Sequence, residues 1–349
     1  MTKIPTTIIT GFLGAGKTTL IRNLLKRAEG KQIALIINEF GDLGIDGEIL
    51  NHCGIEDCDE SGIIELTNGC ICCTVAEDFT PAMEQLISRN PQPDHIIIET
   101  SGLALPQPLV RAFNWPEIRS KVSVDGVIVV VDAPAILSGQ FVADREAIER
   151  QRKEDENLSH ETPLSELFED QLVCADLVVV NKTDLISEDQ VEGLLAEIVK
   201  ASRDGTKAIK SQMGQVDPKI ILGLGIGSEQ DIGARQEIHH FHGEDGEEEH
   251  NHDDFESLVV ILPPIAKPEE FKNSLREAIV EHNLLRVKGF GAVEGSPMRM
   301  VIQAVGPRID SYFDRPFNGD EPNETRLVVI GETGINQAEL CKTLDCVAV

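Results

Sequence analysis

The chain has 349 residues, 41% of them hydrophobic, with 31 basic against 60 acidic side chains and a formal charge of −29. That length exceeds what one hydrophobic core usually serves, so two domains are expected, and the strong negative charge repels phosphate backbones and excludes nucleic acid as a natural partner. The longest apolar runs, such as VIVVV at 127–131, are broken within a few residues by acids such as Asp132, far short of a membrane span. The start, MTKIPTTIITGF, shows no export signal, and a cytoplasmic chain is expected. Eight cysteines in a reducing compartment point away from a disulfide framework and, where they cluster, towards metal or catalysis.

The first predicted element is strand, loop, helix: TTIITGFLGAGKTTLIRNLL begins with a β-branched apolar run and ends in helical apolar spacing. Its loop, Gly11-Phe12-Leu13-Gly14-Ala15-Gly16-Lys17-Thr18, matches GxxxxGK[ST] at every fixed position and sits in the context that motif requires. Glycines let backbone N–H groups, Ala15 included, converge on phosphate oxygens. Lys17 neutralises the β/γ charge, the Thr18 hydroxyl is a Mg²⁺ ligand, and Thr19, next in the first helical turn, is expected with them to bind the nucleotide.

Next, QIALIINEFGDLG runs a strand into Asn38-Glu39-Phe40-Gly41. By position alone Glu39 serves equally as metal ligand, water-orienting group or ordinary loop acid. The following strand, from Ile63 to Leu66, turns at Asn68-Gly69 into Cys70-Ile71-Cys72-Cys73. In an extended segment Cys70 and Cys72 face one way and Cys73 the other, whereas a kinked loop converges all three. Thiolates at about 2.3 Å suit Zn²⁺ and other borderline metals, so three sulfurs with one open or borrowed position make a transfer site. Cys70 and Cys73 also have CxxC redox spacing, without the thioredoxin-like context. Core filler is the weakest of the three readings. Cys53 and Cys58 precede the cluster in a loop and read individually as structural, as do Cys341 and Cys346 near the other end.

PDHIIIETSGLALP is a buried strand ending in Glu99-Thr100-Ser101-Gly102, where GTPases carry DxxG. The longer carboxylate of Glu99 is expected to hold Mg²⁺ through water, and Gly102 to sense the γ-phosphate through its N–H. VIVVVD closes on Asp132, read as a strand-end acid near the site. Residues 144–170 are highly charged and read as a surface helix and loop. ADLVVVNKTDLIS then places Asn181-Lys182-Thr183-Asp184, the NKxD element of GTPases, at a strand's carboxyl end. The Asp184 carboxylate accepts both guanine N–H donors, which adenine lacks, while Asn181 and Lys182 support the ring and loop. The nucleotide is therefore GTP.

Residues 237–254, EIHHFHGEDGEEEHNHDD, have almost nothing to bury and read as a linker, with metal collection by His239, His240, His242, His250 and His252 as an equal alternative. Strands resume at FESLVVILPP and alternate with helical segments at 268–282 and 336–343. The expected architecture is an α/β P-loop GTPase domain with a mostly parallel, doubly wound sheet over residues 1–228, a linker over 229–254, and a smaller α+β domain over 255–349.

In this order, GFLGAGKTTL, INEFG, ELTNGCICCTV, IIIETSGLALP and VVNKTDL resemble the CobW-type metallochaperone GTPases, relatives of the UreG and HypB nickel-insertion GTPases. LLRVKGFGAVEGSPMRMVIQAVGPRIDSYFDRPF, at 284–317, is similar to the carboxy-terminal domain of the members associated with aerobic cobalamin synthesis. The resemblance implies GTP hydrolysis with Lys17, Glu39 and Glu99 at the reaction centre, and Co²⁺ or Zn²⁺ carried on Cys70, Cys72 and Cys73. It further implies delivery to an acceptor protein, a cobaltochelatase in the cobalt reading, and favours a metal or nucleotide-switching role for Glu39. A zinc-allocating GTPase of the same family shares every motif. From another class, a GTP-binding regulatory scaffold and a small-molecule kinase with structural zinc are the rivals, the latter opposed by NKTD. A homo-oligomer is compatible with the sequence, which sets no oligomeric state.

Overall fold

The computed structural model describes residues 3–28, 30–38, 63–66, 79–142, 164–230, 255–317, 322–332, 334–344 and 347–348. They form two compact units, the first carried by the chain up to Gly223 and the second by the strands from Phe255 onwards. The first unit holds seven strands: β1 (Ile4–Thr10), β2 (Ile33–Asn38), β3 (Ile63–Leu66), β4 (His95–Glu99), β5 (Val122–Asp132), β6 (Leu177–Asn181) and β7 (Lys207–Lys210). They line up in the order β3-β2-β4-β1-β5-β6-β7, and every pairing is parallel.

A parallel sheet needs crossovers that cover both its faces, so its strands are apolar throughout instead of alternating. β4 and β6 show this, with all five residues of each buried. On one face Ile8, Ile36, Ile96 and Ile98 pack with Phe79, Leu86 and Phe113, and on the other Val129, Val131, Val178 and Val180 pack with Phe168, Leu172 and Leu194. Chain order runs outwards from β1 through β2 to β3, returns at β4, and continues on the other side of β1 at β5. β1 is thus the point where winding reverses, and the crevice beyond its carboxyl end is where such sheets bind ligands.

The helix Leu164–Cys174 departs from the expectation of a solvated insertion at its end of the 144–170 run, since Leu167, Phe168, Gln171 and Leu172 are buried. Its acids, Glu166 and Glu169 among them, mask a buried stripe at i, i+1, i+4 and i+5 that is helical in spacing and apolar except for Gln171. The remainder of that insertion, the loop with Glu39, Cys53 and Cys58, the Cys70-Cys72-Cys73 turn, the histidine-rich tract and Cys346 lie outside the described residues.

In the second unit β8 (Phe255–Leu262), β9 (Leu284–Gly291), β10 (Met298–Val305), β11 (Arg308–Pro316), β12 (Thr325–Glu332) and β13 (Val347–Ala348) form an antiparallel sheet ordered β11-β10-β9-β12-β8-β13. Helices Pro268–Glu281 and Gln337–Leu344 cover one face, burying Leu275, Ile279 and Leu340 on Val287, Ile302, Leu327 and Val329. Cys341 packs at the margin of that core. No helix among the described residues is long and apolar enough to cross a membrane.

Candidate nucleotide and metal site

The loop after β1 runs directly into the helix α1 (Lys17–Lys26). Gly11, Gly14 and Gly16 all have positive φ, at 132°, 79° and 103°. At Gly16 the need for glycine is twofold, because an added Cβ would be strained by φ and would lie 2.3 Å from Asn181 Nδ2. Gly16 caps α1 without a side-chain hydrogen bond, and the first turn contains no acid. The N–H groups and positive dipole end of α1 are therefore directed at an anion without competition from a side-chain cap. Lys17 is buried and its Nζ donates to Phe12 O at 3.4 Å, which holds the ammonium over the loop.

Glu99 ends β4, in register with Ile9 of β1 and Ile37 of β2, and is buried. Thr18 Oγ1 donates to its Oε1 at 3.2 Å. A hydroxyl and a carboxylate thus converge beside the phosphate loop, both hard oxygen donors of the kind Mg²⁺ takes. Gly102 lies three residues further on, and a Cβ there would come within 2.7 Å of Leu13 N, so the loop after β4 rests against the backbone of the phosphate loop.

The base side is built at the ends of β5 and β6, where Asp132 is in register with Asn181. Asn181 spans two loops: its Nδ2 donates to Ala15 O and its Oδ1 accepts from Gly214 N, both at 2.9 Å. Lys182 adopts the left-handed conformation at φ 62°, and its Nζ bonds Asp132 Oδ2 at 2.5 Å, while Asp132 Oδ1 caps the helix Ala133–Leu137 through Ala135 N at 3.1 Å. Asp184 is exposed at the middle of the turn Thr183–Leu185, which is tied down where Thr183 N and Oγ1 both donate to Ser211 O, at 3.2 and 3.0 Å. Asn23 of α1 donates from Nδ2 to Met213 O and Gly214 O, at 2.9 and 3.0 Å.

Asp132, expected only as a strand-end acid near the site, joins it through Lys182, and Asn23 and Ser211–Gly214 join it without any motif to mark them. For Asp132 a signal was present, since VVVD and VVVN end two strands that a doubly wound sheet places side by side. The Ser211–Gly214 loop follows the short strand KAIK and carries no fixed letters, so only its place at a carboxyl edge could have pointed to it. Because Asn181 is buried and makes both bonds across the site, Asn181→Ala is expected to cost about 2–4 kcal/mol in denaturant unfolding of the nucleotide-free chain. The same variant should also weaken nucleotide binding.

The two strands that precede Glu39 and the cysteine cluster in sequence complete the edge. β2 ends at Asn38 and β3 at Leu66, two residues in register on neighbouring parallel strands. Glu39 is the next residue after the first, and Cys70 is the fourth after the second.

The fold and the loop after β1 together define a P-loop nucleotide-binding protein. A family model of the CobW/HypB/UreG nucleotide-binding domain matches residues 5–210, and one of the cobalamin synthesis protein cobW C-terminal domain matches residues 255–347. The chain belongs to the CobW/HypB/UreG family of GTP-binding P-loop proteins. It is similar to a zinc chaperone CobW of Sinorhizobium sp, 56% identical over 336 residues that cover 96% of this chain and 95% of that one. A zinc chaperone CobW of Pseudomonas aeruginosa is 48% identical over 347 residues, covering 99% and 91% respectively. Among solved structures, the Zn(II)-bound YjiA GTPase from E. coli aligns over 99% of each chain at 23% identity with a TM-score of 0.43.

Proposed function

We propose that the chain is a metallochaperone that binds and hydrolyses GTP, carries a divalent metal on Cys70, Cys72 and Cys73, and passes it to an acceptor protein. The observation that supports it most is the register at one sheet edge. Leu66 pairs with Asn38, and Ile37 pairs with Glu99, which pairs in turn with Ile9 just before the phosphate loop. With strands about 4.8 Å apart, the strand leading to the cysteines ends only about 10 Å from the Glu99 strand. Segments contacting the γ-phosphate and segments leading into the thiolates thus share one rigid frame.

In this reading the N–H groups of the loop Gly11–Gly16 cradle the phosphates, Lys17 neutralises them, and Gly102 N–H reads the γ position. Asp184 accepts the guanine N–H donors, with Lys182 held in place by Asp132 and Asn181 joining the base loop to the phosphate loop. Thr18 and Glu99 fit Mg²⁺, which when bound supplies positive charge against the β- and γ-phosphates. Glu39, one residue beyond the β2 end, is the group through which nucleotide state reaches the metal or the hydrolytic water. No arginine finger or catalytic glutamine is assigned, and slow intrinsic turnover is expected.

Zinc is the metal favoured by the names of the two relatives, and by chemistry, because thiolate sites rank Zn²⁺ above Co²⁺. A second reading, delivery of Co²⁺ to a cobaltochelatase, is favoured by one observation, the match of residues 255–347 to the C-terminal domain of a cobalamin synthesis protein. The experiment is a competition titration of Zn²⁺ and of Co²⁺ into the reduced chain with Mg²⁺ and a non-hydrolysable GTP analogue, with GDP, or with no nucleotide. The expected result is metal binding at least about tenfold tighter in the triphosphate state, and by reciprocity an equal tightening of the nucleotide by metal. Both effects should be absent in the Cys72→Ser, Cys73→Ser double variant. Equal metal affinity in all three states would leave a GTP-binding scaffold instead.

A further inference from the structure

We propose that Gln171 is a positioning residue that sets how strongly the site prefers GTP to GDP. The inference rests on the reading of the site as a guanine-nucleotide site and adds a residue that the motifs do not include.

Gln171 lies on the helix Leu164–Cys174 and is fully buried, between the apolar side chains of Phe168 and Leu172 on that helix. A primary amide in such surroundings costs free energy unless its polar atoms are bonded, and a leucine would suit the packing better. Its Nε2 donates to Gly102 O and to Ala104 O, each at 3.2 Å. Its Oε1 is buried with no hydrogen-bond partner among the described residues. Both hydrogen bonds of this amide therefore go to a single short loop, the one that follows Glu99.

That loop is where a γ-phosphate would be sensed. Gly102 already sits so close to the phosphate loop that a Cβ would reach within 2.7 Å of Leu13 N. Pinning the Gly102 and Ala104 carbonyls restrains the 102–103 and 104–105 peptides, and so limits rearrangement of the loop that carries the Gly102 N–H in the adjoining 101–102 peptide. The same helix also touches the other side of the crevice, because Phe168 stacks on Phe12 of the phosphate loop with ring centroids 6.2 Å apart and an interplanar angle of 22°. A second amide braces the arrangement: Gln107 Nε2, from the helix Pro106–Ala112 that ends this loop, donates to Asp170 O at 2.9 Å.

Gln171 is thus the side chain that holds the γ-sensing loop in one arrangement before nucleotide arrives. A diphosphate makes no contact that needs this arrangement, so Gln171 acts on the triphosphate alone. A purely structural amide would instead affect both nucleotides through the general integrity of the unit.

The test uses the full chain and the variants Gln171→Leu and Gln171→Met, the methionine being a flexible filler should leucine disturb folding. Affinities are measured for GDP and for a non-hydrolysable GTP analogue with Mg²⁺, together with kcat and KM for GTP hydrolysis. The expected result is GDP affinity within about twofold of the unaltered chain, analogue affinity lower by about 5- to 10-fold, as for loss of neutral hydrogen bonds, and a reduced kcat. An equal change for both nucleotides, or no change for either, would overturn the proposal and leave Gln171 a packing residue. If the unaltered chain binds neither guanine nucleotide, the GTP reading itself falls, and this inference with it.

Discussion

Replacing Asp184 by asparagine is expected to lower GTP affinity by about 100-fold and to give the chain measurable affinity for xanthosine triphosphate. Two facing N–H donors on guanine require two acceptor oxygens, and asparagine turns one acceptor into a donor. Hydrogen bonds to a charged group contribute about 1.5–3 kcal/mol each, and every 1.4 kcal/mol is tenfold in affinity. Xanthine carries an oxygen where guanine carries its amino group, so the new donor finds an acceptor there. Asp184 is exposed, and its turn is held by the backbone-directed bonds of Thr183 to Ser211, so the substitution should leave the fold unchanged. Displacement of a fluorescent guanine nucleotide by GTP, ATP and xanthosine triphosphate decides the matter. An unaltered GTP preference would mean that the base is read elsewhere.

The second large effect is expected for Lys17→Ala. Removing the ammonium from a loop that otherwise offers only neutral N–H groups takes away the charge that balances the β- and γ-phosphates as the bond breaks. Losing one such electrostatic contact lowers kcat by about 100- to 1000-fold. Single-turnover hydrolysis at saturating GTP measures it. Thermal unfolding of the nucleotide-free variant should stay within about 3 °C of the original, the scale of about 1 kcal/mol for a unit of this size. A collapse in stability together with activity would instead mean that Lys17 holds the loop and does not act on the nucleotide.

The phosphate side of the site was legible in the sequence because its chemistry is contiguous: the loop from Gly11 to Thr18 and the helix that follows are consecutive residues whose conformation is largely local. Glu99 and Asn181 were legible for a different reason, since each ends an apolar run, and a strand end in a doubly wound sheet lies at the ligand edge. What could not be read was the pairing between those ends. Asp132 and Lys182 are 50 residues apart, and their contact depends on β5 and β6 being neighbours, a property of strand order and not of either segment. Gln171 was hidden twice over, directly after a charged run and as a residue type that usually faces water. Its partners, Gly102 and Ala104, are backbone carbonyls, which leave no trace in side-chain letters. The parallel sheet followed from unbroken apolar strands, whereas the second unit was legible only as a small α+β domain, and the antiparallel pairing of its strands is seen in the structure alone.

The placement of β3 bears on how a metal leaves its carrier. β3 is four residues long and, among the described residues, stands at the rim of its sheet with β2 as its one strand neighbour. Strands at a rim open at lower free energy than strands in the interior, and such openings are local events that spare the rest of a domain. Fraying of β3 would disturb the approach to the cysteine turn while β4, β1 and β5, each flanked on both sides, keep their amides protected from exchange. Release of the ion can therefore begin by peeling one marginal ribbon from an otherwise closed body, and by the linkage that tightens both ligands together the nucleotide grip slackens as the ion departs.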